Sequence, residues 1–228
     1  VGLPVSSAHR LLSTLQLEGF VRFDGERTLW FVGVKAFTVG NAFLRARDLV
    51  QVARPYMRGL MEQCDETVNL AVEDGGQIIY LAQIECRQMM RALASPGARV
   101  PMHSSAVGKV LLAYMPPSAQ APMLEKMKLE RFTANTITGR DRFAKTLVEI
   151  RKLGFGFDDE EHAIGLRCVA APIFNEAREA IAGISLSGPA ARVTDRRFKE
   201  LAGMVQRTAR VITREFGGKS PEEYKVQA

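Results

Sequence analysis

Of all segments of this chain, residues 157–189 restrict the possible folds most. They predict two strands, one of which carries small and hydroxyl side chains on one face. An acidic loop runs into a strand that begins near Cys168. After a turn, a second strand carries Gly183, Ser185 and Ser187 at alternate positions. A core strand would place branched apolar residues there. Small side chains leave space and hydroxyls supply hydrogen bonds, so these strands predict a pocket for a small polar ligand.

The rest of the chain predicts an α+β fold around an antiparallel sheet. Residues 67–73 and 77–84 are strand-like and are joined by Asp74-Gly75-Gly76, a strong hairpin signal. Further strands are predicted over 89–93, 155–159, 168–174 and 180–187. Helices are predicted over 34–47, 48–64, 104–114, 118–127, 141–153 and 194–216. Hairpins and helical excursions without regular βαβ alternation favour an antiparallel sheet.

The first 33 residues predict the second half of a winged helix-turn-helix. Residues 3–18 form one helix with apolar positions at i, i+3, i+4 and i+7, which predicts one buried stripe. Two short strand-like runs around a glycine turn then predict a hairpin. The helix is either a surface helix with a solvated polar face or a recognition helix for the major groove. In the second case, the candidate contacts to DNA are Ser6, Ser7, His9, Arg10, Arg22 and Arg27.

Composition limits the function only broadly. The net charge of +6 is compatible with nucleic-acid binding but does not require it. Three widely spaced cysteines without a CxxC pair favour reduced thiols in the cytoplasm over disulfides or a zinc site. No apolar run approaches the roughly 20 residues that span a bilayer, so no membrane partner is expected. The chain starts Val-Gly-Leu-Pro, and we expect further residues upstream.

A helix start at residues 104–107 is a second candidate site. Ser104 or Ser105 would cap the helix, and the N–H groups of Ala106 and Val107 would lie in its unsatisfied first turn, which attracts a carboxylate. The alternative is a simple N-cap without a ligand. The following Gly-Lys pair lacks the spacing of a phosphate-binding loop.

The acidic run 158–161 and Cys168 allow several interpretations. The run is either a solvated loop or, with His162 beside it, part of a metal or acid–base site; a solvated loop is the commoner case. Cys168 is either a buried thiol lining a cavity or a nucleophile, which would need a base and an electropositive setting. We expect no metal and no cofactor.

Four motifs together resemble the IclR family of bacterial transcriptional regulators over nearly the whole chain. They are GLPVSSAHRLL, VPMHSSAVGKVLLA, FDDEEHAIGLRCVAAP and ISLSGPAARVTD. The residues of these motifs are most similar to those of the glyoxylate-bypass (acetate operon) repressor branch. The resemblance implies a partial winged helix-turn-helix at 1–33, a linker helix at 34–48, a GAF-like antiparallel effector domain at 49–217, and a flexible tail at 218–228. It also implies homodimers or tetramers on operator DNA.

The resemblance further implies an effector site for a small carboxylate such as glyoxylate or pyruvate. By motif position its residues are Met89, Ala106, Val107, Asp158, Cys168, Ser185 and Ser187. This chain departs from the family's pattern at two of these positions. Met89 stands where the family has a branched aliphatic residue, and Val107 stands where it usually has a smaller one. Both differences bear on which effector is preferred. The family's first helix and positioning helix have no counterpart here, which bears on whether this chain alone binds its operator.

Three functional hypotheses follow. The first is a DNA-binding regulator, with repression expected, controlled by a 2-oxo acid. The second is a Cys168-dependent enzyme acting on a small carboxylate, and the third is an oligomerisation module with an empty pocket. In the first hypothesis, the Asp158 carboxylate would repel an anionic ligand. The repulsion is relieved if Asp158 accepts a hydrogen bond from a ligand hydroxyl, as in hydrated glyoxylate, or if Asp158 is protonated.

Overall fold

The computed structural model describes residues 2–46, 49–92, 95–222 and 224, and the chain divides into two compact units between residues 49 and 50. The first unit contains α1 (Val5–Leu17), β1 (Val21–Asp24), β2 (Leu29–Val32) and α2 (Val34–Ala46). The helices that follow are α3 (Leu49–Cys64), α4 (Ala106–Tyr114), α5 (Pro117–Lys126), α6 (Arg140–Leu153) and α7 (Asp195–Glu215). The strands that follow are β3 (Thr67–Asp74), β4 (Gln77–Ile84), β5 (Arg99–Pro101), β6 (Gly156–Asp159), β7 (Leu166–Phe174) and β8 (Ala180–Pro189).

The first unit is a helix followed by an antiparallel hairpin, as the sequence predicts. The Asp24 carboxylate accepts from the backbone N–H groups of Glu26 and Arg27, both at 3.1 Å, and this closes the turn. The predicted apolar stripe of α1 is not buried. Leu11 and Leu15 are 53% and 40% exposed, because within the described part of this unit little packs over that face.

The second unit is built on a six-stranded sheet in the order β5-β4-β3-β8-β7-β6, in which every neighbouring pair is antiparallel. This confirms the α+β class. Helix α4 packs on the sheet face that carries Gly183. Side chains alternate along a strand, so Ala182, Ile184 and Leu186 point to the other face, where they are fully buried. Helix α7 contacts β7 and β8.

Two glycines let α4 lie directly on the sheet. A Cβ at Gly183 would come within 2.7 Å of Val107 Cγ1, and one at Gly156 within 2.6 Å of Val110 Cγ2. Both distances are shorter than real Cβ contacts allow. The small residues of β6 and β8 therefore bring the first turn of α4 close to the sheet.

Two predictions about local structure need correction, and a third extends beyond the described residues. Residues 89–92 are irregular rather than a strand, with residue 93 outside the described residues, and the short strand β5 appears later instead. Tyr224, in the expected flexible tail, is only 8% exposed, because its ring packs against Tyr114 and Phe174 at 5.9 and 5.3 Å. The predicted linker 34–48 is helical as far as Ala46, and residues 47–48 lie outside the described residues.

No helix in the described ranges is long and apolar enough to cross a membrane.

Candidate functional site

A cavity of about 170 Å³ lies between the start of α4 and the sheet. Its volume is below the roughly 300–1,000 Å³ of sites for drug-sized ligands, so it suits a compound with few heavy atoms. Six residues proposed from the sequence line this cavity: Ala106, Val107, Asp158, Cys168, Ser185 and Ser187.

Met89 is the predicted site residue that the structure does not bring to the cavity. Its side chain is 98% exposed, and Ala92, three residues later, lines the wall instead. The segment after β4 is irregular, so no regular backbone period fixes which of its side chains turns inward. The expected apolar wall at Met89 is therefore corrected to a surface position in this structure.

The start of α4 presents free backbone donors to the cavity. Ser105 is the N-cap, and its hydroxyl accepts from the Gly108 N–H at 3.1 Å. The N–H groups of Ala106 and Val107 precede the first intrahelical bond and have no acceptor among the described residues. A helix N-terminus favours an anion by only about 0.3–1 kcal/mol at exposed sites and up to about 2 kcal/mol when partly buried, so further donors are needed to hold one.

The sheet supplies those further polar groups in adjacent positions. Asp158, Cys168 and Ser187 are register partners across β6, β7 and β8. Ser185 pairs with Asn69 of β3, two residues along, and therefore lies on the same face. All of these residues are buried, so their polar atoms face the cavity in a setting with little competing water.

Sequence reasoning missed Asn69 and Tyr80, which also line the cavity. The Asn69 amide donates to Ser187 Oγ at 3.2 Å, and its oxygen accepts from Gln83 Nε2 at 2.9 Å, so Asn69 orients the Ser187 hydroxyl. A signal was present, because Asn69 is a polar residue between Val68 and Leu70 in a buried strand.

Asp158 is buried and fixed by its own turn. One carboxylate oxygen accepts from the backbone N–H groups of Glu161 at 2.8 Å and His162 at 3.4 Å. Burial raises the pKa of Asp158 to about 7, although the nearby charge of Lys109 opposes this shift. The acidic run is therefore not simply a solvated loop, since Asp158 and Glu161 are only 2% and 5% exposed.

A buried ion pair lies behind Asp158. The Lys109 ammonium contacts one oxygen of the Glu161 carboxylate, and both side chains are buried. The other Glu161 oxygen has no hydrogen-bond partner among the described residues. The spacing around Lys109 excludes a phosphate-binding loop, and in the structure Lys109 pairs with the acidic turn instead.

The chemistry of Cys168 and the histidines does not resemble a nucleophilic or metal site. Burial and the neighbouring Asp158 raise the pKa of the Cys168 thiol, which keeps it protonated. Burial lowers the pKa of His162, whose ring contacts Ser104 Oγ at 3.4 Å. Across the described ranges, no three His, Cys, Asp or Glu side chains lie close enough together to hold a metal ion.

The candidate DNA contacts all lie on the first unit. Side chains of α1 and the hairpin that are exposed are Ser6, His9, Arg10, Arg22 and Arg27, while Ser7 is half-buried. The Arg22 guanidinium stacks over the Phe31 ring at 4.8 Å, and the His9 ring meets Trp30 edge to face at 6.4 Å. The polar side chains of α1 are thus largely exposed, and two of the candidate side chains also contact aromatic rings of the hairpin.

Comparison with known sequences identifies both parts of the chain. Residues 41–214 match the family described as bacterial transcriptional regulator IclR C-terminal, and residues 1–25 match the IclR helix-turn-helix domain. The acetate operon repressor of Salmonella typhimurium is 45% identical over 219 residues, which cover 95% of this chain and 80% of that protein.

Solved structures show the same fold. The crystal structure of the Thermotoga maritima IclR is 31% identical with a TM-score of 0.78, and the match covers 94% of this chain and 87% of that one. An IclR homologue from Microbacterium hydrocarbonoxydans, solved in complex with 4-hydroxybenzoate, is 23% identical with a TM-score of 0.83. That match covers 94% of this chain and 87% of the homologue.

Proposed function

Because this chain belongs to the IclR family of bacterial transcriptional regulators, we propose that it represses a metabolic operon under the control of a small 2-oxo acid. Glyoxylate and pyruvate are the proposed effectors. The 45% identity to an acetate operon repressor supports the class of operon. The cytoplasm, where operator DNA is located, is the proposed place of action.

The chain is a transcriptional regulator and not an enzyme. Its curated relatives are transcriptional repressors. The alternative of a Cys168-dependent enzyme has no support in the geometry. Burial of the thiol disfavours the thiolate that a nucleophile needs.

One observation carries the effector proposal: free helix-end amides and strand hydroxyls face each other across a cavity of about 170 Å³. The N–H groups of Ala106 and Val107 would meet the ligand carboxylate. The hydroxyls of Ser185 and Ser187 would donate to the carboxylate or to the 2-oxo oxygen. The Val107 methyl groups would contact a methyl or hydrogen at the far end of the acid.

The first unit is proposed to bind operator DNA through α1 and the hairpin. Arg10, Arg22 and Arg27 would contact phosphates, whereas Ser6, Ser7 and His9 would contact bases or backbone. A homodimer or tetramer would place two such units on one operator. The effector would act by its different affinity for the DNA-competent and incompetent assemblies.

Titration calorimetry with pyruvate and glyoxylate tests the effector site. We expect saturable binding that the pair Ser185→Ala/Ser187→Ala weakens at least about fivefold, since each lost hydrogen bond is worth about 0.5–1.5 kcal/mol. Ser118→Ala, on the exposed side of α5, is the matched control and should bind as the native chain does. Full affinity in the double variant would contradict the proposed site.

A salt-dependent gel shift tests the DNA-binding surface. Arg10→Ala should weaken operator binding and reduce the salt slope by about one, because one phosphate contact is lost. Arg214→Ala, at the exposed end of α7, is the control. Unchanged affinity and slope in Arg10→Ala would remove α1 from the DNA interface.

A further inference from the structure

Three charged side chains are buried together beside the cavity. Lys109 of α4 is 1% exposed, while Asp158 and Glu161 of the acidic turn are 2% and 5% exposed. The single ammonium pairs with Glu161 and also acts on Asp158. With both carboxylates ionised, this cluster would carry a net charge of −1 out of contact with water.

The other titratable groups that face Asp158 supply no second positive charge. Cys168 of β7 and Tyr80 of β4 both have a raised pKa, so each stays neutral. His162, on the same turn, has a lowered pKa and is neutral as well. Lys109 is therefore the one cation near Asp158 among the described residues that line or back the cavity.

An anionic effector would enter a space that already holds this excess negative charge. Two charges of the same sign repel more strongly in a buried site than in water, because the effective dielectric constant there is lower. The Ala106 and Val107 amides offset only part of that cost. The lowest-cost adjustment is to neutralise the carboxyl group nearest the ligand, which is the one that lines the cavity.

We propose that the effector binds together with one proton, which Asp158 takes up and then shares as a hydrogen bond to the 2-oxo oxygen of the ligand. This inference rests on the proposed effector function. It makes Asp158 a donor rather than an acceptor. It also explains how a keto acid such as pyruvate, which has no hydroxyl to donate, can lie against an aspartate.

Fixed geometry supports the assignment of the proton to Asp158. One of its oxygens already accepts two backbone N–H groups, so the proton belongs on the other oxygen. Burial raises the pKa of Asp158 to about 7 before any anion arrives, and an anion raises it further. Affinity should therefore be highest below about pH 7 and should fall up to about tenfold per pH unit above it.

Calorimetry of pyruvate binding in two buffers of different ionisation enthalpy, phosphate and Tris, measures the proton directly. At about pH 8 we expect uptake of close to one proton per site, and at about pH 6 close to none, because Asp158 is then already protonated. Pyruvate binding at pH 8 with the same heat in both buffers would overturn this inference while leaving the effector site intact. Absence of binding by both pyruvate and glyoxylate would overturn the proposed function and this inference with it.

Asp158→Asn identifies the group that takes up the proton. The amide keeps an oxygen for the two backbone N–H groups and imitates the protonated acid. Binding should therefore persist, lose its pH dependence and give the same heat in both buffers. Asp159→Asn is the matched control: its carboxylate is half-exposed, pairs with Arg167 and should leave proton uptake unchanged. Proton uptake that survives in Asp158→Asn, or binding lost at every pH in a folded variant, would contradict the proposal.

Discussion

The close packing of α4 on β8 makes a prediction about a pair of substitutions. In Gly183→Ala the new Cβ would come 2.7 Å from Val107 Cγ1, and the backbone oxygen of Ala171 lies at 3.6 Å. Val107 is only 2% exposed, and as a β-branched residue in the first turn of a helix it has little rotameric freedom. The overlap must be relieved by moving α4 or β8.

The size of this effect follows from the geometry. Overpacking in a well-packed core costs about 1–3 kcal/mol, and the gain from removing a glycine offsets about 0.4–1 kcal/mol of it. We therefore expect Gly183→Ala to lower the free energy of unfolding by about 1–2 kcal/mol. Val107→Ala removes two buried methyl groups and should cost about 1–3 kcal/mol, from the cost of single methyl deletions.

The double variant Gly183→Ala/Val107→Ala tests the contact itself. Removing the Val107 methyl groups makes room for the new Cβ, so the combined loss should be about 1 kcal/mol or more below the sum of the single losses. Urea unfolding followed by circular dichroism measures all four states of the cycle. Strictly additive losses would show that Val107 does not lie over Gly183, and the described cavity wall would then be wrong.

Three further predictions concern buried ionisable groups. Arg192→Ala should lower the free energy of unfolding by about 3 kcal/mol, because Glu66 is fully buried and loses both 2.7 Å contacts to that guanidinium; a change of melting temperature below about 2 °C would contradict this. Native Cys168 should resist iodoacetamide at about pH 8 and react only on unfolding, because burial disfavours its thiolate; mass spectrometry of the labelled peptides decides this. Since folding raises the pKa of Asp158 from 3.8 to about 7, its contribution to stability is present below about pH 4 and is lost as the pH rises through 7. Asp158→Asn should therefore gain stability relative to the native chain over that interval, and a constant difference would count against the raised pKa.

Much of the fold could be predicted from the sequence because local signals were strong. The Asp74-Gly75-Gly76 turn and the alternating residues of β8 fixed a hairpin and a strand within a residue or two. The segment after β4 could not be predicted, since without regular hydrogen bonding its apolar residues have no period that tells inward from outward. Motif position in the family placed Met89 in the cavity wall, but Met89 lies exposed and Ala92 lines the wall.

The geometry of the candidate site depends on the register in which the strands pair, and sequence patterns alone do not predict that register. Asp158, Cys168 and Ser187 lie on three consecutive strands, and they become direct neighbours only through the register in which β6, β7 and β8 pair. The ion pair between Lys109 and Glu161 joins α4 to the acidic turn across 52 residues. Tyr224 lies in a polar terminal segment. It is buried by contacts with the aromatic rings of Tyr114 and Phe174, which no local sequence pattern predicts.

The central claim is that a small 2-oxo acid binds between the start of α4 and the serines of β8. A crystal structure of the protein with pyruvate tests it most directly. We expect the ligand carboxylate within about 3 Å of the Ala106 and Val107 nitrogens, with Ser185 or Ser187 hydrogen-bonded to the ligand. Pyruvate found instead in the larger, more open groove that Met123 and Met127 help to form, with the α4 cavity empty, would contradict the account.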